Sequence, residues 1–458
     1  MSVTRWLQPD ALLWDGRVVH GPALEVSADG RCVGIGTPPS GAEVERLDRR
    51  LLLPGLINSH SHAFQRLIRG RTQHLAVGRT EDDFWTWREA MYETASSLDP
   101  DGIEVASRQC FVEMALAGTT TVGEFHYLHH NPDGRPYEDR LELALRVISA
   151  AREVGLRIAL LRVGYARPGF RTAPVPRQRR FYDPDPDVFL AAVEALTASV
   201  KDDDRVSVGV APHSVRAVPR SWLEAVAQAR PRVVHMHVAE QPKEVEASVA
   251  EYGRRPVELL ADLGLLDERF TAVHAVHVLP SEIALLARST VCACPSTERD
   301  LGDGIVPADA MVEAGVTLAI GSDSQTLLEP FEDLRALESD LRLIRGRRVV
   351  LPSVPGEVDS LAARLLGAAT TGGARSLGLD VGTLAPGRPA DLCAVRLDHP
   401  SLAGTQQDAV LATVIFGATS AVVSDTWVQG TRVVRDGRHP LQESSAKAFE
   451  ALSRRMFA

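Results

Sequence analysis

Between Leu51 and about residue 383, apolar runs of four to eight residues alternate with amphipathic stretches of 10 to 20, and this rhythm constrains the fold more than any other property of the chain. The runs include Thr120–Gly123, Arg157–Val163, Val206–Val210, Val233–Val238, Thr271–His274, Thr290–Ala293 and Thr317–Ile320. Apolar strands separated by helices predict a parallel sheet, because a parallel strand can return only through a crossover connection. About eight such units over roughly 330 residues predict an α/β protein built on a TIM-like (β/α)8 barrel.

The rhythm changes on both sides of this region. Short strands are expected at Ala11–Trp14, Arg17–His20, Leu24–Ser27 and Cys32–Ile35, with Asp15-Gly16 and Asp29-Gly30 as turns. Near Leu384 strands return, at Asp391–Leu397, Val410–Ile415, Ala421–Val428 and Thr431–Arg435, before a helical segment over Glu443–Met456. Residues 1–53 and 384–458 are therefore expected to meet as a small composite β-sandwich domain beside a barrel spanning 54–383. The Pro- and Arg-rich stretch Arg167–Arg180 reads as a long barrel loop.

With 45% hydrophobic and 24% charged residues, a chain of 458 residues can bury a large core. Fifty Lys and Arg against 60 Asp and Glu leave a net charge of −10, which argues against nucleic acid or an anionic membrane as a general partner. The five cysteines are scattered, with no CxxC pair, as expected in a reducing compartment. No apolar run approaches the roughly 18 residues of a membrane span, and the expectation is a cytoplasmic protein with no membrane partner.

Several of the 14 histidines follow apolar runs directly, which in a barrel is the C-terminal face where catalytic groups collect. His60 and His62 follow Leu51–Asn58, and at i and i+2 of an extended segment both rings can reach one metal ion. Taken alone, this HxH pair reads equally well as loop polarity. Val233–Val238 ends on His237, a further candidate ligand, with Glu240 three residues on as a candidate proton shuttle. His235, deeper in the same run, reads as a hydrogen-bonded wall residue, and Thr271–His274 supplies another strand-end histidine. Leu318–Ile320 closes on Gly321-Ser322-Asp323-Ser324, where Asp323 taken alone would be a loop cap. Four such pieces in order, each at a strand end, point to a metal-dependent hydrolytic site.

These pieces, together with Pro54–His62 and the tail Gly382–Asp391, make the chain resemble the amidohydrolase superfamily over essentially its whole length. The resemblance implies that His60, His62, His237 and Asp323 hold the metal and that His274 assists. Binuclear members bridge their metals with a lysine or acid of the fourth strand, and here no lysine lies between His62 and Lys201. A mononuclear deaminase-type site is therefore expected, with Glu240 as proton shuttle and one Zn(2+) per chain, although iron would accept the same donors.

Within the deaminase branch, His62–Arg66, Phe84–Glu89, Glu124–His130, Pro212–Ala217 and Cys294–Gly304 resemble the N-formimino-L-glutamate iminohydrolase family. That resemblance implies a dicarboxylate substrate bound by Gln65, Arg88, Tyr127, His213 and Arg216. Arg88 would take one carboxylate and Arg216, with Tyr127 and His213, the other, since a guanidinium offers a carboxylate two parallel N–H donors. Asp323 and His274 would orient or deprotonate the attacking water. A homodimer is also expected. Without the resemblance, Arg88 reads as a surface charge on a helix. Gln325 departs from the family, where histidine often follows the aspartate loop. The alternatives are a mononuclear deaminase acting on an aminopurine- or pyrimidine-like heterocycle, and a non-catalytic scaffold that kept the barrel.

Overall fold

A computed structural model describes residues 4–75, 77–173 and 175–457. Eight parallel strands follow one another in chain order: β1 (Leu56–Ser61), β2 (Thr119–His126), β3 (Arg157–Gly164), β4 (Val206–Pro212), β5 (Val234–Val238), β6 (Phe270–His274), β7 (Thr290–Ala293) and β8 (Thr317–Ile320). Most of these strands are buried along their whole length, which is why they are written as continuous apolar runs rather than alternating ones. Just beyond β8 the chain returns to β1 through a parallel bridge between Ser61 and Asp323. There Asp323 N donates to His60 O (3.0 Å) and His62 N to Asp323 O (3.1 Å). This approach requires the glycine at 321, because a Cβ there would lie 2.7 Å from His60 Cβ and 2.8 Å from its carbonyl oxygen.

Both ends of the chain build a second, mixed sheet of eight strands. Its long strand Glu43–Pro54 pairs in parallel with Arg5–Trp14 and antiparallel with Leu392–Arg396, so residues almost 350 positions apart in the chain share one layer. Leu7, Leu12, Leu24, Leu52, Leu392 and the fully buried Trp427 form its own core. The terminal helix, Gln442–Phe457, packs on the barrel helix Pro100–Leu116.

One expected strand is a helix. Val410–Ile415 belongs to the helix Val410–Gly417, whose buried residues Val410, Leu411, Val414 and Ile415 have helical spacing and face the helices Pro330–Arg345 and Ser360–Ala368. An eight-residue apolar run carries no usable period. Here Asp359 decides the matter, its carboxylate accepting from the N–H groups of Leu411 (3.2 Å) and Ala412 (2.7 Å) in the first turn.

Candidate metal centre and substrate cavity

The strand ends bring four donors together. His60 and His62, on alternate positions of β1 and its end, point into the barrel mouth, where His237 arrives from β5 and Asp323 from just beyond β8. One ligand atom from each lies within 4.8 Å of the others. His60 Nε2 is 3.1 Å from His237 Nε2 and 3.3 Å from Asp323 Oδ1, and His62 Nε2 is 3.2 Å from the same oxygen.

His62 Nδ1 lies 2.9 Å from the Phe125 carbonyl and His237 Nδ1 lies 3.1 Å from the His213 carbonyl. A carbonyl only accepts, so both rings carry their proton on Nδ1 and turn a bare Nε2 inward. Burial holds the His60 imidazole down to about 3 and His237 well below its ordinary value, so these rings are neutral. A proton on His60 Nε2 could bridge only one of its two close pairs, whereas a cation joins all four donors. A tetrahedron with metal–ligand bonds of about 2.0–2.1 Å has edges of roughly 3.3–3.4 Å, close to the three spacings just given, while the remaining donor pairs lie within 4.8 Å. The residues fit a single divalent ion.

His274, at the end of β6, stands behind this set. Its Nδ1 is 3.2 Å from Glu298 Oε1, and its Nε2 is 3.6 Å from Glu240 Oε1 and 3.7 Å from Asp323 Oδ2. Burial opposes charging this ring, but Glu240, Glu298 and Asp323 together raise it well above the ordinary histidine value, so it is an imidazolium. Burial also raises the Glu240 carboxyl. Burial would push up the Asp323 carboxyl as well, yet the neighbouring His60 and His62 rings and the His274 imidazolium hold it well below the carboxylate range. The backbone is strained at these strand ends, with left-handed φ at Ala239 (49°), His274 (69°) and Asp323 (48°).

A narrow cavity opens onto the donor set. Its walls carry His62, His237, Glu240 and Asp323 together with Gln65, Arg88, Tyr127, His213 and Arg216, so the structure gathers the expected binding residues at one place. His60 and His274 complete the set from deeper positions. Gln65 Nε2 donates to Tyr127 Oη (2.8 Å), which leaves Gln65 Oε1 without a partner. Arg216 is 5% exposed, and its Nε and Nη1 have no partner; its guanidinium stacks over Phe84 (5.6 Å) and Trp85 (5.5 Å).

Arg88 is half-buried rather than a free surface charge. It sits on the helix Phe84–Ser97, whose start is set by a reciprocal cap between Asp83 and Thr86. Its guanidinium lies 4.6 Å from the Trp85 ring centroid, and its buried Nε also lacks a partner.

His235 Nε2 donates to the Ser376 carbonyl (2.7 Å) within the barrel wall, and His129 and His130 donate to the carbonyls of Val163 and Tyr182. Cys292 and Cys294 are buried free thiols, as expected of small core residues. The sequence reading gave Glu298 no individual role, yet it orients His274 and also accepts from Cys294 N (2.8 Å). The available signal was its place in the first turn of a short helix, Pro295–Leu301, immediately after β7.

A barrel of this topology with three histidines and an aspartate at its strand ends defines a metal-dependent hydrolase. The chain matches the amidohydrolase family over residues 51–433, and it belongs to that family. Among its relatives, the formimidoylglutamate deiminase of Pseudomonas aeruginosa is 41% identical over 93% of this chain and 94% of its own length. A crystal structure of an amidohydrolase from Brucella melitensis superposes with a TM-score of 0.91 at 35% identity, covering 99% of this chain and 100% of that one. An adenosine deaminase from Xanthomonas campestris, solved with bound zinc, superposes with a TM-score of 0.82 at 26% identity, covering 99% and 98%. Among the described residues no helix is long and apolar enough to cross a membrane.

Proposed function

We propose that this chain hydrolyses N-formimino-L-glutamate to N-formyl-L-glutamate and ammonia, with one zinc ion held by His60, His62, His237 and Asp323. The observation that carries the reading is the company the donor set keeps. The same cavity holds two arginines whose buried N–H groups have no partner in the protein, which is what a small dicarboxylate would supply. The 41% identity to a formimidoylglutamate deiminase points the same way.

When bound, the metal supplies Lewis-acid activation and lowers the pKa of water toward neutrality. The protein does the rest. Arg216, with Tyr127 and His213 beside it, binds one carboxylate, Arg88 binds the second, and Gln65 Oε1 accepts from the substrate's N–H. Asp323 Oδ2, the oxygen turned toward His274, accepts a proton from the attacking water. That water adds to the formimino carbon, and the His274 imidazolium stabilises the negative charge that develops. Glu240, its carboxyl raised by burial, delivers a proton to the imino nitrogen. As the C–N bond to that nitrogen breaks, the proton held by Asp323 passes to it and the intermediate's hydroxyl returns a proton to Glu240, so ammonia leaves with the formyl oxygen derived from water.

Ammonia release from N-formimino-L-glutamate, abolished by a chelator and restored by zinc, is the direct test. No release from metal-replete protein overturns the reading, and release from adenosine instead would transfer it to heterocycle deamination. A cytoplasmic homodimer belongs to the same proposal, and light scattering checks the stoichiometry.

A further inference from the structure

We propose that Gln325 is a positioning residue for the metal centre: its side-chain amide clamps the loop after β8 to the end of β1 and so sets where Asp323 stands relative to His60 and His62. The proposal rests on the reading that these residues hold a metal. Gln325 is fully buried, and three polar contacts engage its amide. Its Oε1 accepts from Ser322 Oγ (2.8 Å), and its Nε2 donates to Ser61 Oγ (2.8 Å) and to the Asp323 carbonyl (3.0 Å).

Each contact continues into the barrel. Ser322 is held on its other side by Asn58, whose Nδ2 donates to Ser322 Oγ (2.6 Å) and whose Oδ1 accepts from Ser322 N (3.0 Å). Ser61 Oγ donates to Glu124 Oε2 (2.5 Å), and Glu124 Oε1 accepts from Ala63 N (2.8 Å). A continuous polar strut thus runs from Asn58 through Ser322, Gln325, Ser61 and Glu124 to the backbone just past His62. Along an extended strand Ser61 points away from its two neighbours, so the strut grips the HxH segment from behind while both imidazoles face the cavity.

The position needs a clamp. Asp323 and Gln325 both have left-handed φ, 48° and 62°, a conformation that side-chain-bearing residues hold only when the surroundings enforce it. Backbone contacts act in the same sense, since Arg66 Nη1 donates to the carbonyls of Gln325 (2.6 Å) and Thr326 (3.1 Å) while pairing with Glu113. Mere filling of space does not account for a buried amide: an apolar side chain of the same size would fill the void without the cost of desolvating the amide. Gln325 does not itself line the cavity and makes no hydrogen bond to a donor atom of the four ligands, so its effect reaches the metal through Asp323 and Ser61.

The test measures metal retention and metal geometry without substrate. Gln325→Met keeps the volume and removes every side-chain hydrogen bond, whereas Ser61→Ala removes the partner at the other end of the clamp with little change of volume. In zinc-loaded protein each is expected to release metal to a chelator about 10–100-fold faster than wild type, the usual effect of losing a partner that orients a ligand. In cobalt-substituted protein each is expected to shift the visible absorption bands, a readout that a general loss of stability would not move. Wild-type release and an unshifted spectrum in both variants would overturn the clamp; if Gln325→Met does not fold, Ser61→Ala decides alone. A wild-type protein that binds no zinc overturns the ligand assignment and the clamp together. Failure to hydrolyse N-formimino-L-glutamate leaves both readouts standing.

Discussion

The two halves of the cavity are built on opposite terms. On the metal side, His62 and His237 are each oriented by a backbone carbonyl, His274 by Glu298, and the loop carrying Asp323 by a strut of buried hydrogen bonds. On the arginine side, Arg216 Nε and Nη1, Arg88 Nε and Gln65 Oε1 are buried and have no partner at all. Buried polar groups are ordinarily paired, and leaving one unpaired costs about 1–3 kcal/mol. The first half is largely finished by the chain itself, with His60 Nδ1 and His274 Nε2 the exceptions, and the second awaits a ligand. The protein thus spends its internal hydrogen bonds on the reacting centre and keeps its cations available for recognition.

Substitutions that break the metal half should be the most severe. His237→Ala removes a pre-oriented donor, and activity is expected to fall to background together with zinc content, read by elemental analysis. Glu240→Gln separates chemistry from metal: turnover should drop by roughly 10²–10⁴-fold, the range of general acid–base catalysis, while zinc stays bound. The arginine half should behave differently. Arg216→Met is expected to lower kcat/KM by about 10–150-fold, the equivalent of about 1.5–3 kcal/mol for bonds to a charged group, with zinc content unchanged. Arg88, less buried, should cost less, and equal losses of zinc in both halves would erase the contrast.

An effect confined to stability concerns Glu244, a buried carboxyl beside the arginines with neither oxygen partnered. Burial raises it to about 7 against an ordinary 4.5, despite the nearby Arg216 charge. A group whose folded value is raised contributes stability that is complete below the ordinary value and lost as pH rises through the folded one. Glu244→Gln, neutral throughout, should therefore lose less stability than wild type between pH 5 and 8. The gap should reach at most about 3 kcal/mol in denaturant titrations.

Strand-end chemistry was readable from the sequence because it is local. An apolar run that closes on a histidine declares both a strand and its exit, as at His237 and His274, and alternation alone places His60 and His62 on one face. Features that depend on remote partners were not readable in this way. The run at Val410–Gly417 has no period, and its helical state reflects Asp359, some 50 residues away, together with two helices packed beside it. Glu298 carried a weak signal in its first-turn position, but its partnership with His274 exists only where β6 and β7 lie side by side.

By itself the sequence determined most of the succession of strands and helices, the helix at Val410–Gly417 excepted, the meeting of two strand-rich ends, and the residue types delivered to each strand end. These follow from apolar periodicity and turn chemistry, which act over a few neighbouring residues. Only the tertiary structure decided that residues 60, 62, 237 and 323 converge within 4.8 Å, that Arg88 leaves the surface to line the cavity, and that Gln325 bridges the seam of the barrel. Barrel closure sets those distances, and closure depends on the packing of all eight strands, including β1 against the chain just beyond β8, which no local stretch of sequence encodes.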